Sequence, residues 1–323
     1  METLYGDAWK ARGARLQGDR IVDLGDAAAE WTALREGRAF RHAGSGRLLR
    51  VRGADGPDLL QRLAASDVLS PPPGAVFDLL FTDEKGRIVD LTRAAKGEDG
   101  LLLLCGEGRA GDLAAWIERF TFTEAAASSV DEAGVVLETV GEEAAERLAS
   151  RLGLDALPAG RLAEPGRGVA VMREPRRAVV HLALPDAGAA CGWLEDLLAA
   201  GLVPVGETAY GRWCVGQGRL RPGLDLDSTM NPLEAGLREA VSWRKGCYIG
   251  QEVVARLDSY DKVRRRVARL AGEAATTPAG ALSRQGRAVG RLLAVAPRLD
   301  GAGAVALALV PHTTEEGAAL EAE

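Results

Sequence analysis

Ten residues, Trp243-Arg-Lys-Gly-Cys-Tyr-Ile-Gly-Gln-Glu252, bring a lysine, a thiol, a phenol, an amide and a carboxylate together around two glycines. Core segments do not mix side chains in this way. Gly246 and Gly250 admit positive φ or the close approach of another chain or ligand, which predicts a fixed turn carrying Cys247 and Tyr248. Where Arg244 and Lys245 lie near Cys247 they favour its thiolate and make it a nucleophile or a site of oxidation. The alternative is an inert cysteine that fills a tight turn. Of the 40 basic residues five are lysine (Lys10, Lys85, Lys96, Lys245 and Lys262), so arginine is the default cation and Lys245 stands where an amine is specifically wanted.

The second chemical segment is Asp227-Ser-Thr-Met-Asn-Pro-Leu-Glu-Ala-Gly-Leu237. Asn231 suits a helix cap, Pro232 a first helical position, and Glu234 then falls in the first turn, where its charge complements the helix dipole. An acid fixed there also offers two acceptor oxygens to a planar amidine-like edge, such as the ring NH and amino group of a pterin or guanine. Both readings stand at this level. The remaining cysteines, Cys105, Cys191 and Cys214, sit in apolar settings and read as structural. With no C-x-x-C pair and no histidines at helical spacing, no metal site is expected.

The elements that must position these segments form an α+β pattern. Arg47 to Arg52 reads as a strand, Asp55-Gly-Pro57 opens a helix with Leu59, Leu60 and Leu63 on one face, and Pro71-Pro-Pro73-Gly74 stops it. Val76 to Phe81 and Ile88 to Ala94 read as a hairpin joined by Thr82-Asp-Glu-Lys-Gly86. Leu101 to Cys105 adds a strand, and Asp112 to Phe120 a helix with Leu113, Trp116, Ile117 and Phe120 on one face. A weaker copy follows: strands at Gly134 to Val140, Val169 to Met172 and Ala178 to Leu184, helices at Glu142 to Leu152 and around Trp193 to Leu198. Two similar α+β units are expected. Beyond Val253 the pattern predicts strands only (Val263 to Leu270, Ala288 to Ala296, Ala304 to Val310), read as a small antiparallel barrel, and a frayed tail from Glu315.

Length and charge bound the rest. The 323 residues, 47% apolar and 27% charged, describe a globular chain of about two domains and exclude disorder and collagen. The amino-terminal stretch carries Glu2, Asp7, Lys10, Arg12 and Arg15 and reads as neither leader nor anchor, and no apolar run spans a bilayer. A cytoplasmic protein without membrane contact is expected. A net charge of −6 gives no global attraction for nucleic acid, and Arg264-Arg-Arg266 reads as a solvated edge.

Lys245-Gly-Cys-Tyr-Ile-Gly-Gln-Glu252 resembles the signature of the YgfZ-type folate-binding proteins, relatives of the glycine cleavage T protein, an aminomethyltransferase. Val51-Arg-Gly-Ala-Asp55 with the Leu-Leu-Gln61 helix, Asp67-Val68, the Phe81 to Asp90 hairpin, Asn231 to Leu237, Val289-Gly290 and Ala304 to Val310 follow the same plan. The resemblance implies a T-protein-like plate of two α+β domains around a folate channel, in residues 1–242 with one subdomain at about 45–130. Residues 243–323 then hold the signature and a carboxy-terminal antiparallel β-barrel. It implies tetrahydrofolate or a derivative as cofactor, iron-sulfur enzymes or assembly proteins as partners, effects on tRNA-modifying enzymes, and a monomer. By motif, Glu234 matches the T-protein acid that holds the pterin, an acid some YgfZ-type members lack, and Cys247 matches the central cysteine of the signature. Lys245, Tyr248, Gln251 and Glu252 complete the candidate cofactor-binding set, and Cys247 and Asp90 are the candidate catalytic residues. T proteins have two adjacent acids where Gly86-Arg-Ile-Val-Asp90-Leu91 has one. The resemblance therefore implies an accessory protein without classical turnover. A folate-dependent aminomethyltransferase or demethylase and a ligand-free adaptor are the alternatives.

Overall fold

Continuous apolar runs become the inner strands of the first sheet. The computed structural model describes residues 3–98, 100–166, 168–272, 280–298 and 303–322. Val135–Val140 and Val179–Leu184 are buried at every position, as expected of short apolar strands covered on both faces. They pair antiparallel, Val179 opposite Val140 through Leu184 opposite Val135. Around them runs a six-stranded sheet in the order Leu162–Gly166, Val169–Arg173, Val179–Leu184, Val135–Val140, Ala39–Ser45, Val203–Pro204, antiparallel except for its last pair. Helices Thr3–Lys10, Glu142–Arg151 and Ala187–Ala199 supply Tyr5, Trp9, Leu148, Leu194 and Leu197 to the core that holds Phe40, Leu137 and Leu182. Asp186 caps the last of them by accepting from the Ala189 amide at 2.8 Å, and its apolar positions Ala187, Ala190, Leu194 and Leu197 recur at helical spacing.

A five-stranded sheet has the order Val76–Thr82, Ile88–Gly97, Gly100–Leu104, Leu48–Arg52, Ala127–Asp131. The chain divides into two compact units. The first comprises Met1–Leu60, Val68–Leu79 and Thr92–Tyr210; the second comprises Gln61–Asp67, Leu80–Leu91 and Gly211–Glu323, so the tip of the Val76–Gly97 hairpin belongs to the second. In that unit Leu80, Ile88, Met230, Tyr248, Val254, Leu293 and Leu307 share one core.

Two expectations, on the helix and the tail, are corrected, and the closed barrel is not observed among the described residues. A helix, Gln251–Ser259, follows the signature where strands alone were expected; it buries only Val254, too little apolar periodicity to read from sequence. The carboxy-terminal strands Arg265–Gly272, Ala304–Pro311, Arg287–Pro297, Ala281–Arg284 and Glu321–Ala322 form, among the described residues, an open antiparallel sheet and not a closed barrel. The tail from Glu315 ends in that sheet, Ala322 opposite Leu282.

Two glycines meet where helix ends converge. Gly37 (φ 73°) closes the helix Ala27–Glu36, and Gly141 (φ 111°) precedes Glu142–Arg151. A Cβ on Gly141 would stand 2.0 Å from the Gly37 Cα. Gly141→Ala therefore combines a left-handed φ with a backbone clash and should destabilise the protein by at least about 2 kcal/mol. A urea midpoint equal to that of the wild type would refute this packing account.

Candidate functional site

The site is built from three stretches of the second unit: the hairpin tip, the Asp227–Leu237 segment and the signature. Asn231 caps as its type suggests, its Oδ1 accepting from the Leu233 and Glu234 amides, both at 3.0 Å. Glu234 reciprocates, its Oε2 accepting from the Asn231 amide at 3.1 Å, the two-way bond of a capping box. What they cap is a single turn and not the expected helix: Leu237 N returns to Pro232 O at 2.8 Å, and a 3-10 turn, Arg238–Ala240, follows.

Glu234 is 5% exposed, and arginines meet its side chain. Arg265 grips it in the bidentate manner, Nε to Oε1 at 2.8 Å and Nη2 to Oε2 at 2.9 Å. Arg87, from the hairpin, reaches Oε2 at 3.2 Å. Both guanidiniums also donate to Thr229 O, at 3.0 Å from Arg87 and 2.8 Å from Arg265. Bonding to Glu234 raises the Arg265 guanidinium further above its ordinary value. Beside them Arg291 holds Asp227 at 2.9 Å. Burial alone would raise the Asp227 carboxyl, but the Thr229 hydroxyl and amide and Arg291 outweigh it and hold it low. Counting lone pairs, Oε2 of Glu234 is saturated by three donors while Oε1 carries one and can take another.

The signature folds with an inner and an outer set of side chains. Lys245 Nζ donates to three carbonyls at the end of the helix Gly56–Leu63 and beyond it: Gln61 O and Ala64 O at 2.5 Å and Ser66 O at 2.8 Å. An ammonium has three N–H groups and all three are used. Burial draws this amine down to about 8 while Asp67 opposes the shift, so it remains charged at neutral pH. Its Nζ also lies 5.4 Å from the centre of the Tyr248 ring, and burial pushes that phenol up to about 12. Gln251 Oε1 accepts from the Tyr248 amide at 3.3 Å. Of the two glycines only Gly250 takes positive φ (83°); its Cβ would stand 2.3 Å from Asp83 O of the hairpin, whose Thr82 hydroxyl donates to Ile249 O at 2.6 Å. Cys247 is exposed, and Glu252 points outward in a pair with Arg256 at 2.5 Å.

Asp90 is buried on the strand Ile88–Gly97, its Oδ1 accepting from the Leu91 amide at 2.9 Å. The hairpin reaches both the Glu234 group, through Arg87, and the turn that carries Cys247, through the Thr82 bond to Ile249 O. Arg87 and Arg265 escaped the sequence reading. Arg265 sits in Arg264-Arg-Arg266, where a basic run reads as solvent-facing; the signal that could have found it is the acid at 234, which needs a cation once buried.

No protein-family model matches the chain. It is 38% identical over 116 residues to a putative chloroplastic transferase of Arabidopsis thaliana, covering 36% of this chain and 27% of that protein. The chain thus spans about a quarter of that relative's length. It is 26% identical over 242 residues to an aminomethyltransferase of Alcanivorax borkumensis, covering 72% of this chain and 67% of the relative. The crystal structure of the glycine cleavage system aminomethyltransferase T from Bartonella henselae superposes with a TM-score of 0.86 at 21% identity, covering 98% of this chain and 92% of that one. The fold is that of aminomethyltransferase T. Among the described residues no helix is long and apolar enough to cross a membrane, and no cluster of histidine, cysteine and acidic residues could hold a metal ion.

Three carbonyls converging on one nitrogen suit an ammonium and not a planar guanidinium. Lys245→Met strands three acceptors and should cost on the order of 2 kcal/mol in urea unfolding, and Lys245→Arg should fail to restore it. An arginine variant as stable as the wild type would show that charge alone suffices.

Proposed function

We propose that the chain binds tetrahydrofolate or a derivative through Glu234 and serves as an accessory protein for iron-sulfur enzymes or their assembly, with downstream effects on tRNA-modifying enzymes. The observation that carries this reading is the buried Glu234 carboxylate, fixed by its turn and retaining an acceptor position on Oε1. A ring N–H of a pterin takes that position first. The second bond of a bidentate contact requires Arg87, the longer and single-bonded of the two arginine contacts, to withdraw from Oε2. The aminomethyltransferase fold supports the ligand class, and the resemblance of the signature supports the accessory role. In this reading Lys245, Tyr248 and Gln251 hold the turn, Glu252 lies at its edge, and exposed Cys247 is the group a partner meets. The protein acts as a monomer in the cytoplasm.

A second reading, folate-dependent aminomethyl transfer, draws on Asp90, a buried acid on the hairpin strand, and on the transferases the chain resembles. In that case an acid near the folate nitrogen would assist proton movement.

Calorimetry with tetrahydrofolate should show Glu234→Ala weakening binding by about 2 to 4 kcal/mol, the loss of a charge-assisted pair. Arg87→Ala should tighten it, because the ligand no longer competes. Unchanged affinity in Glu234→Ala, with the fold confirmed by circular dichroism, would defeat the folate assignment. Methylene-tetrahydrofolate formed from an aminomethylated carrier protein, and abolished by Asp90→Asn, would favour the second reading. Cys247→Ser should keep folate affinity yet lose support of iron-sulfur enzyme activity in cells lacking the native protein; full complementation would remove the thiol from the mechanism.

A further inference from the structure

The first unit contains a polar cavity of about 310 Å³, within the size range of small-molecule sites, and none of its lining residues belongs to the second unit that carries Glu234. Arg20, Arg41, His42, Arg47, Glu107 and Glu207 are among its walls. The strand Ala39–Ser45 is bulged here: His42 stands opposite Leu137 and Gly44 opposite Val136, leaving Ala43 unpaired between them. Bulges of this kind re-aim side chains and are common beside functional sites.

Two of the three guanidiniums face carboxylates, Arg20 with Glu107 and Arg41 with Glu207 at 2.8 Å. Arg47 is different. Among the described residues it donates only to carbonyls, from Nε and Nη2 to Cys105 O at 3.1 and 2.8 Å and from Nη1 to Ala43 O at 2.5 Å. Burial first, and Arg41 next, depress the Arg47 guanidinium below its ordinary value, while Glu138 and Glu107 act in the opposite direction from beyond ion-pair distance. A half-buried cation whose contacts are carbonyls alone keeps a charge that an anion can answer.

His42 shares the wall and is 6% exposed. Its Nδ1 lies 3.3 Å from the Tyr5 hydroxyl, and its Nε2 is buried without a hydrogen-bond partner among the described residues. Burial, then Arg41 and Arg47, hold the imidazole down at about 3, so the ring is neutral at physiological pH. Burial also keeps the Tyr5 phenol protonated. In the tautomer whose Nδ1 accepts from the Tyr5 hydroxyl, the ring proton sits on Nε2 and the unpartnered atom is a donor.

We propose that this cavity is a binding site for a small polar organic anion, whose carboxylate or phosphate oxygens answer the Arg47 charge and accept from His42 Nε2. The volume exceeds that of an oxyanion alone. The remainder of the ligand carries hydroxyl or amino groups, which meet Ser45, Glu107 and the exposed Asp19 on the same wall.

The chain has three histidines, so ring-nitrogen resonances resolve the question in the intact protein. Inorganic phosphate and acetate are titrated separately at constant ionic strength, with chloride as the balancing salt. The His42 ring signals should shift saturably with at least one of the two while those of His181 and His312 stay still; the probe that acts identifies the anionic group. Arg47→Gln should weaken the response about tenfold or more. Should that variant fail to fold, Ser45→Glu, which brings a like charge to the half-buried wall, should give the same loss. No movement of His42 up to about 50 mM of either probe, parallel movement of all three histidines, or wild-type binding by both variants would overturn the proposal.

Discussion

The Lys245 ammonium is the point from which the geometry of the second unit can be traced. It draws Gln61, Ala64 and Ser66 onto one nitrogen, and Ser66 passes the constraint on: its hydroxyl donates to Ala240 O at 2.7 Å and accepts from the Leu80 amide at 2.9 Å. Ala65 is paired on both sides, its amide to Leu80 O and its carbonyl to Ser242 N. Leu80 therefore enters the hairpin at a fixed place. The tip beyond it seats Thr82 and Asp83 against Ile249 and Gly250 and carries Arg87 to Glu234. A lysine in the signature thus governs the surroundings of an acid that it does not touch.

The same reasoning sets what a ligand at Glu234 must do. A buried carboxylate is tolerated because two guanidiniums and an amide answer it, and removing one partner leaves an uncompensated charge. Arg265 cannot leave cheaply, since it holds both oxygens and Thr229 O. Arg87 makes one bond to the carboxylate, at 3.2 Å, and one to a carbonyl. Ligand binding at this acid is then an exchange of one charge-assisted bond for another. Its net strength depends on the cost of returning Arg87 to water.

Local chemistry was legible in the sequence and distant pairing was not. The Asn231 cap and the reciprocal place of Glu234 follow from residue types three apart, and the structure has them, although Gly236 at φ 72° closes the expected helix after one turn. The rarity of lysine marked Lys245, but its three acceptors lie more than 170 residues earlier, beyond the reach of any local pattern. Arg265 was lost for a related reason: its partner is 31 residues away, and a run of arginines carries no sign of which one turns inward. The strand Ala39–Ser45 lies inside the six-stranded sheet, yet Arg41, His42 and Gly44 break its apolar pattern. Those are the residues that line the polar cavity, so one feature both hid the strand and gave it a site.

The signature itself divides by which side chains the fold can afford to bury. Lys245 and Tyr248 turn inward because each has partners there, three carbonyls for the ammonium and an apolar core for the ring. Gln251 spends its carbonyl on the Tyr248 amide and fixes the start of the helix that follows. Trp243, Arg244, Gly246 and Cys247 remain on the exposed side. Arg238 lies 4.9 Å from the centre of the Trp243 ring, so even this exposed edge is ordered by a contact between cation and ring. The thiol is therefore presented from a turn whose other half is tied into the core.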